Sequence, residues 1–541
     1  MKRINNRFGF LIRISVIFLL LLLQPASIFA DINVKCFTND VLRHSFDDTL
    51  NINKTQRWII TEAEDSNFNL DDSLLIVSYP EAGFKPIGLP PLASMPYQHS
   101  LKFHFTPKND SLPNYLIITT QALYDSLSVE FRTYAEDVHA IYGYGIYLES
   151  TINATPYQVK NLIVDYQDNL MGVFLVGDMG NCQFEIDNDY SWKETPYGYR
   201  KWPCDLFYMD IDGYWYDSDN NGIYDLHTGD VQPDIIFGRL STYGLSSLGS
   251  EVELIRRQLT KSHHFWWKSS FHSAQTALNY IYKDWENNHF LQQYIASVFL
   301  SGAVDDIRDV SGSPFFKSDY LYRLSQPIYG FTHLAAHSSP STHNFKEKGG
   351  TISQNEIKQS VMYNNCYGYN LFCCSACNWL AANSQGYLGG IYLFNQGKTL
   401  VLVGTTKTGG MITSDIFYTT LSSESIGEAF RDWWRIKMGN YHSNYNISWY
   451  YGMTLLGDPT INFRHQVSDV CVENLTLTAF PSDDHSNLVL YRAGSSIYIS
   501  DNFVIPSGVH VIFDAPIVTF ANGFSCPLGA SFETRKEGCE L

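Results

Sequence analysis

Between about residues 114 and 464, the chain repeats one pattern: a short, almost continuously apolar run followed by a longer amphipathic stretch. Strands covered by helices on both faces of a parallel sheet have this sequence, because both of their faces are buried. The apolar runs are 115–119, 172–176, 234–237, 276–282, 328–336, 369–376 and 399–404, and the predicted helices include 247–261, 290–300, 353–362 and 424–438. The pattern therefore predicts an α/β domain with a parallel sheet flanked by helices, and it disfavours an all-β adhesin.

Two flanking regions differ from this domain in composition. Residues 31–113 are rich in Pro and Asn and contain short strand-like runs, which predict a small β-rich leader domain. Residues 467–541 alternate apolar and polar residues between Gly and Pro turns. This pattern predicts a β-rich C-terminal domain, either a small β-sandwich or a β-solenoid-like stack. The α/β domain is placed between them, at 114–466.

The first thirty residues have the organisation of a secretory signal peptide. Basic residues up to Arg13 precede the apolar run 14–23, and the small residues Ser27 and Ala30 come just before a plausible cut. The run is too short to span a bilayer, and no later segment reaches about eighteen uninterrupted apolar residues. We therefore expect removal of residues 1–30 and an exported protein, secreted or at the cell surface, without an integral membrane segment.

The exported part is strongly acidic. The chain has 37 Lys and Arg against 55 Asp and Glu, and four of the bases, with no acid, lie in the first thirty residues. An acidic surface repels phosphate backbones, so we exclude nucleic acid as a partner. All ten cysteines follow residue 30, where an oxidising compartment permits disulfides. Cys526 and Cys539, which close a short C-terminal loop, are the predicted pair.

The residues that follow the apolar runs are candidates for chemistry, because ligands of an open parallel sheet bind beyond the carboxyl ends of its strands. A Cys and a His at the ends of successive strands can supply a nucleophilic thiolate and a base that holds and returns the proton. Nearby backbone N–H groups can stabilise an oxyanion. The residues at these positions are Asp178, Arg239, Asp284, His337, Cys377 and Thr405.

Six motifs in order strengthen this interpretation. They are GVFLVGD at 172–178, PCDLFY at 203–208, PDIIFGRL at 233–240, LAAHSS at 334–339, FCCSAC at 372–377 and LGDPT at 456–460. Together they resemble the gingipain family of caspase-like cysteine peptidases over nearly the whole α/β domain. The resemblance implies a caspase-like sheet and a secreted cysteine endopeptidase acting on protein or peptide substrates. It also implies a Cys-His dyad that forms a thioester acyl-enzyme, with no cofactor required for catalysis.

The resemblance assigns roles to individual residues. His337 corresponds to the catalytic His of the family, and Asp284, which follows the preceding strand, corresponds to its auxiliary acid. Cys377 corresponds to the nucleophile, rather than either of the two cysteines before it, because it ends the predicted strand where the turn into the helix begins. The backbone N–H groups of Ser338 and Cys377 are the expected oxyanion donors. Asp415 lies near the substrate-binding carboxylate of lysine-cleaving relatives and is the candidate residue for that role.

Two departures from the family pattern keep a second function open. Ser338 stands where the family usually has Gly, and a requirement for a left-handed backbone there would strain a serine. The turn after Cys377 is Asn-Trp-Leu rather than a Gly-bearing segment. The alternative is therefore a catalytically inactive peptidase-like surface protein that binds peptide, glycan or protein partners.

The segment 217–228 has the spacing of an EF-hand calcium loop. Gly222 occupies the sixth position, where such loops turn sharply, although Thr228 replaces the usual bidentate Glu at the twelfth. The sequence predicts a structural calcium ion that stabilises this long loop, since a bound metal stabilises only the folded state. The predicted ligands are Asp217, Asp219, Asn221, the carbonyl of Ile223, and Asp225.

Overall fold

The computed structural model describes residues 56–62, 74–80 and 97–539, except 273, 312, 314, 347–349, 411, 413–414, 440–442, 466 and 468–469. The chain divides into two compact units, Met1–Ile87 and Gly88–Leu541. In the first unit, β1 (Gln56–Glu62) and β2 (Leu74–Pro80) form an antiparallel pair. The predicted signal peptide, 1–30, and most of the predicted leader lie outside the described residues.

The large unit is built on one extensive sheet. Its order is β13-β12-β14-β17-β18-β19-β11-β6-β4-β5-β3, with β15 and β16 attached to β14. In chain order the strands are β3 (Gln98–Phe105), β4 (Asn114–Thr120), β5 (Gly145–Ile152), β6 (Leu170–Val176), β7 (Gln183–Asp189), β8 (Gly198–Pro203), β9 (Tyr214–Tyr216), β10 (Leu226–Thr228), β11 (Ile236–Leu240), β12 (Thr276–Ile281), β13 (Ala303–Arg308), β14 (Tyr329–Ser338), β15 (Thr342–Asn344), β16 (Thr351–Ser353), β17 (Gly368–Cys373), β18 (Val401–Thr405) and β19 (Met453–Gly457).

Neighbouring strands along this order are parallel except at two places. β18 and β19 are antiparallel, and β3 is an antiparallel edge strand on β5. The strands on the two sides of the β18–β19 junction therefore run in opposite directions. Because β3 pairs within this sheet, the large unit begins upstream of the predicted boundary at residue 114.

Helices cover both faces of the sheet. Several begin with a capping box, in which a Ser or Thr and a Gln or Glu three residues later satisfy each other's backbone N–H groups. The α-helices are α1 (Gln121–Tyr142), α2 (Pro156–Asp165), α3 (Leu206–Met209), α4 (Glu251–Trp267), α5 (Gln292–Ile295), α6 (Lys317–Leu324), α7 (Gln354–Val361), α8 (Leu388–Leu393), α9 (Asp415–Leu421), α10 (Ile426–Met438) and α11 (Asn444–Tyr450).

Alternate residues of the central strands belong to two separate cores. On β6, Val173 and Leu175 pack into one buried cluster, and Phe174 and Val176 pack into the other. A strand buried on both faces needs apolar residues at successive positions, which explains the continuous apolar runs. The predicted α/β fold, a mostly parallel caspase-like sheet flanked by helices, is confirmed.

Two elements differ from their predicted bounds. The predicted strand 369–376 ends at Cys373, because Ser375 has a left-handed backbone (φ 57°) that turns the chain out of the sheet. The predicted helix 290–300 is not continuous, since the short helix α5 lies between 3₁₀ segments at Lys283–Leu291 and Ala296–Val298. The first of these differences lies at the end of the sheet that carries His337.

The C-terminal region is a parallel stack of strands and lies within the large unit. Leu477 pairs with Ile499 and Ile499 with Phe520, so that residues about one coil apart lie side by side, as in a β-solenoid. The strands are β20 (Val472–Leu477), β21 (Leu488–Ile499), β22 (His510–Asp514), β23 (Ile517–Phe520) and β24 (Ser531–Arg535).

The disulfide of this region joins Cys471 to Cys539, so the predicted Cys526–Cys539 pairing is wrong. After β24 the chain turns back towards the residue that precedes the first coil, whereas Cys526 lies in the turn between β23 and β24 as a free thiol. In the part of the chain that the structure describes, no helix combines the length and apolar character needed to cross a membrane.

Candidate active site

The carboxyl ends of β12, β14 and β17 meet at one edge of the sheet. Ile281 on β12 is in register with Ala335 on β14, which is in register with Phe372 on β17. These three residues form a small apolar cluster that Trp285 covers. The side chains that follow on this face of the sheet therefore lie just beyond this cluster.

His337 and Asp284 contact each other directly. Nε2 of His337 lies 2.7 Å from Oδ2 of Asp284, and both side chains are about one-third exposed. The imidazole also packs against Trp285, with ring centroids 4.6 Å apart, and against Tyr282 at 5.5 Å. These contacts hold the ring in one orientation, in which the carboxylate accepts the Nε2 proton and Nδ1 remains for a second partner.

A second cation shares the same carboxylate. Nζ of Lys346 donates to Oδ2 of Asp284 at 2.9 Å. The hydrogen bond from His337, and then that from Lys346, lower the pKa of Asp284 below its usual value. Asp284 therefore stays ionised, and its charge is available to orient and stabilise a protonated His337.

Cys377 does not reach this edge of the sheet. Its side chain is completely buried, and its sulfur lies 2.5 Å from the position that a Cβ on Gly404 would take and 3.0 Å from the equivalent position on Gly389. Its N–H donates to the carbonyl of Thr405. Burial raises the pKa of the Cys377 thiol, which opposes formation of a thiolate. The structure thus places the predicted nucleophile inside the packing between β17, β18 and α8.

Cys374 occupies the position that the prediction gave to Cys377. It directly follows β17, and it is partly exposed whereas Cys373 and Cys377 are buried. Ala336 is in register with Cys373, so the next residues along the two strands are His337 and Cys374. Side chains alternate along a strand, which places Cys374 on the same face as Phe372 and His337. The sequence contained this signal, because Cys374 is two residues beyond the apolar Phe372.

A buried cation lies near Cys374. The N–H of Ser375 donates to the carbonyl of Lys407 at 2.9 Å, and the Lys407 ammonium forms an ion pair with Asp189. Burial lowers the pKa of Lys407 to about 8, against the opposing effects of Asp189 and of Cys374. Neither Lys407 nor Asp189 was singled out in the sequence.

Ser338 has a backbone that suits a serine. It is not among the described residues with left-handed backbones, so the expected strain at this position is absent. Its Oγ lies 2.6 Å from Nδ1 of His343, and Nε2 of His343 lies 3.0 Å from the Tyr392 hydroxyl. Burial lowers the pKa of His343 to about 3, so this second histidine remains neutral.

The remaining predicted residues have separate surroundings. Asp178 accepts hydrogen bonds from Ser241 and Thr242, and buried Arg239 forms an ion pair with Asp205. These residues belong to strands on the other side of the β18–β19 junction. Thr405 is buried and donates to the carbonyl of Lys407. Asp178, Arg239 and Thr405 therefore have structural contacts. Of the predicted strand-end residues, Cys377 and Thr405 are joined by a backbone hydrogen bond, and Asp284 and His337 contact each other through their side chains.

Asp415 is exposed at the first position of α9, and its carboxylate accepts the N–H of Ile416. The same helix carries Tyr418, whose hydroxyl contacts His333 and Asn370 on the face of the sheet that also carries His337. Helix α9 is thus attached to the face of the sheet that carries His337, and Asp415 is exposed at its first position.

The predicted calcium loop has the internal hydrogen bonds of a compact acidic turn. Asp217 accepts the N–H groups of Asn221 and Gly222, Asp219 accepts that of Asn221, and Asn221 accepts that of Ile223. Burial raises the pKa of Asp217, and the neighbouring Asp219 carboxylate raises it further. Among the described residues, the acidic group whose oxygens all lie within 4.8 Å of one another is Asp210, Asp212 and Asp234, and the carboxylates of this loop do not form such a group.

Residues 108–464 match the family model described as peptidase family C25. A solved structure titled "Structure of Protease" is 13% identical and covers 66% of this chain and 79% of its own, with a TM-score of 0.44. No curated protein shows a significant match. The family match spans well over half of the chain and confirms the gingipain resemblance: the chain belongs to peptidase family C25, a family of cysteine peptidases.

Proposed function

We propose that this protein is a cysteine endopeptidase in which Cys374 is the nucleophile, His337 the acid-base group and Asp284 the residue that orients it. The observation that carries the proposal is the register of β14 and β17, in which His337 and Cys374 follow the paired residues Ala336 and Cys373. The hydrogen bond between Asp284 and His337 supports it, because a third group that orients the base is the usual companion of an activated thiol.

The reaction follows from these positions. Nδ1 of His337 takes the proton of the Cys374 thiol, and the resulting thiolate attacks the carbonyl carbon of the scissile peptide bond. The imidazolium returns the proton to the leaving amine as the C–N bond breaks, leaving a thioester on Cys374. Water, deprotonated by the same imidazole, then hydrolyses the thioester and regenerates the thiol. The backbone N–H groups of Ser338 and Cys374 themselves are the proposed donors to the oxyanion, in place of the N–H of Cys377, which donates to the carbonyl of Thr405.

A peptide with a C-terminal electrophile tests the nucleophile directly. Wild type should be labelled on Cys374, identified by mass spectrometry, and Cys374→Ala should lose both labelling and peptide cleavage. Cys377→Ala is the matched control and should keep both, because its sulfur packs against Gly404 rather than facing substrate. Labelling of Cys377 instead of Cys374 would reverse the assignment. A protein that folds but neither labels nor cleaves any member of a peptide library would be the inactive, partner-binding alternative.

Asp415 is proposed as a substrate-binding carboxylate. It is exposed, and α9 is tied through Tyr418 to the face of the sheet that carries His337. A carboxylate beside the bound peptide would favour a basic side chain next to the cleaved bond. Asp415→Asn should therefore lower kcat/KM for peptides with Lys or Arg at that position and leave neutral peptides unaffected. An equal effect on both kinds of peptide would remove Asp415 from this role.

Two further expectations remain proposals. Export through the signal peptide 1–30 is supported by its basic and apolar pattern, and N-terminal sequencing of the extracellular protein would test it. A structural calcium ion on the loop of Asp217, Asp219, Asn221, Ile223 and Asp225 is supported by the EF-hand spacing of these residues and by the backbone N–H groups that fold the turn onto Asp217. Calcium should raise the melting temperature, and the Asp217→Ala, Asp219→Ala double variant should lose most of that increment. An equal calcium effect in the double variant would exclude this loop.

A further inference from the structure

One carboxylate oxygen of Asp284 accepts hydrogen bonds from two basic side chains. Oδ2 of Asp284 accepts one hydrogen bond from His337 at 2.7 Å and one from Lys346 at 2.9 Å. Because both nitrogens are bonded to one oxygen, they lie at most about 6 Å apart, a distance at which two positive charges still repel. The Lys346 side chain is 44% exposed, so this repulsion is only partly screened.

The fold fixes the position of Lys346. β15 pairs with β14 so that Asn344 is the register partner of His337, and the chain returns past the histidine two residues before Lys346. The N–H of Lys346 donates to the side chain of Asn344 at 2.7 Å, and the preceding Phe345 is completely buried. Lys346 itself has a left-handed backbone, with φ 46°. Such a backbone persists only where its surroundings hold it, so the ammonium reaches Asp284 from an anchored position.

The other charged or titratable groups near His337 lie on the segments after β12, β13 and β17. The ring of Tyr282 packs on His337. Burial raises the pKa of Tyr282. The charges of Lys283 and Lys346 oppose that rise, and those of Asp284 and Asp309 add to it. Lys283 lies 5.9 Å from the centre of that ring, and Asp309 is buried after β13. On the β17 side, the neighbouring titratable group is the Cys374 thiol. Asp284 forms one ion pair with the proposed acid-base group, His337, and another with Lys346.

We propose that Lys346 is a positioning residue that sets the pH range of the reaction, by withdrawing part of the Asp284 charge from His337. A carboxylate shared with a fixed ammonium stabilises the imidazolium less than a carboxylate that serves His337 alone. With Lys346 in place, His337 therefore releases its proton at a lower pH and can act as a base closer to neutrality. The inference rests on the proposed acid-base role of His337.

The test follows the protonation of His337 directly in the full-length Cys374→Ala protein, which needs no activity. The probe is ring-labelled histidine observed by NMR at low ionic strength, with the His337 signal assigned by its loss in His337→Gln. Lys346→Met and Lys346→Gln should each move the midpoint of the His337 titration upward by about half a pH unit or more. Lys346→Arg, which keeps the charge, should restore the wild-type midpoint. Lys283→Met removes a charge from a neighbouring residue and should move the midpoint less.

A merely structural role for Lys346 would not produce this pattern. In the active chain, the acidic limb of kcat/KM against pH, which follows deprotonation of His337 to the free base, should move upward with Lys346→Met in the same direction as the NMR midpoint. A midpoint that is unchanged or lower in both neutral variants of folded protein would overturn the inference. If no peptidase activity is found but the midpoint shifts, the sharing of charge stands and the proposed function fails. The experiment therefore distinguishes a failure of the charge-sharing inference from a failure of the proposed function.

Discussion

The most informative perturbation substitutes Gly404 and Cys377, singly and together, by alanine. In the structure a methyl group on Gly404 would have its carbon 2.5 Å from the sulfur of Cys377, and its next neighbours, both on Leu371, would lie at 3.4 and 3.5 Å. The sulfur is therefore the one close obstacle among these neighbours. Gly404→Ala alone should cost about 1–3 kcal/mol, the usual range for overpacking a core. Cys377→Ala alone should cost about 1 kcal/mol through the loss of a buried sulfur.

The double variant separates packing from catalysis. With the sulfur removed, the added methyl fills the vacated space, so Gly404→Ala combined with Cys377→Ala should be more stable than Gly404→Ala alone. The departure from additivity should be about 1–2 kcal/mol, since the two side chains are in contact. Thermal unfolding followed by tryptophan fluorescence at one scan rate would measure it as a shift of a few degrees. All three variants should keep the labelling of Cys374 by the electrophilic peptide.

Two results would refute this reasoning. If the costs of the single variants simply add, the sulfur of Cys377 does not lie against Gly404. If Cys377→Ala abolishes peptide cleavage while Cys374→Ala retains it, Cys377 is the nucleophile after all, as the sequence pattern predicted. A parallel measurement with Cys373→Ala is a further control, because Cys373 is also buried but packs on Leu334 rather than on Gly404.

Three other predictions concern the same chain. Asp284→Asn should lower kcat/KM about tenfold or more and move the acidic limb of the pH profile downward, opposite to Lys346→Met, and an unchanged pH profile would contradict its role. Because the pKa of Asp284 is lowered, its interaction with His337 is present above the usual aspartate pKa and is lost only as the pH falls through the depressed value. Replacing Cys471 and Cys539 by Ser should destabilise the protein by about 2–5 kcal/mol, whereas Cys526→Ser should not, and the reverse order would restore the pairing first predicted. The part of the predicted leader that precedes β3 should restrain the enzyme until it is cut, because an exported peptidase with an exposed thiol would endanger the secretion machinery. An active secreted form that still begins at Asp31 and gains no rate on limited proteolysis would exclude this.

The alternation of apolar runs and amphipathic stretches was enough to determine the α/β fold. Val173 to Val176 are four successive apolar residues, and alternate residues of a strand point to opposite faces. Both faces of this strand must therefore be buried, as they are. The position of His337 and Asp284 at neighbouring strand ends followed from the same pattern, since parallel strands bring their carboxyl ends to one edge. The ordered motifs added the family, which the match over 108–464 confirms.

The choice among three neighbouring cysteines could be made only in three dimensions. Sequence patterns locate a strand but not its last residue, and here a left-handed backbone at Ser375 ends β17 at Cys373. Cys374 therefore directly follows the register pair Ala336–Cys373, as His337 does on β14, and Cys377 lies beyond the turn in the core. Lys346 and the Cys471–Cys539 disulfide were missed for a related reason: each depends on a contact between segments far apart in the chain. Local periodicity reports which face of an element is buried, and it contains no information about what lies opposite.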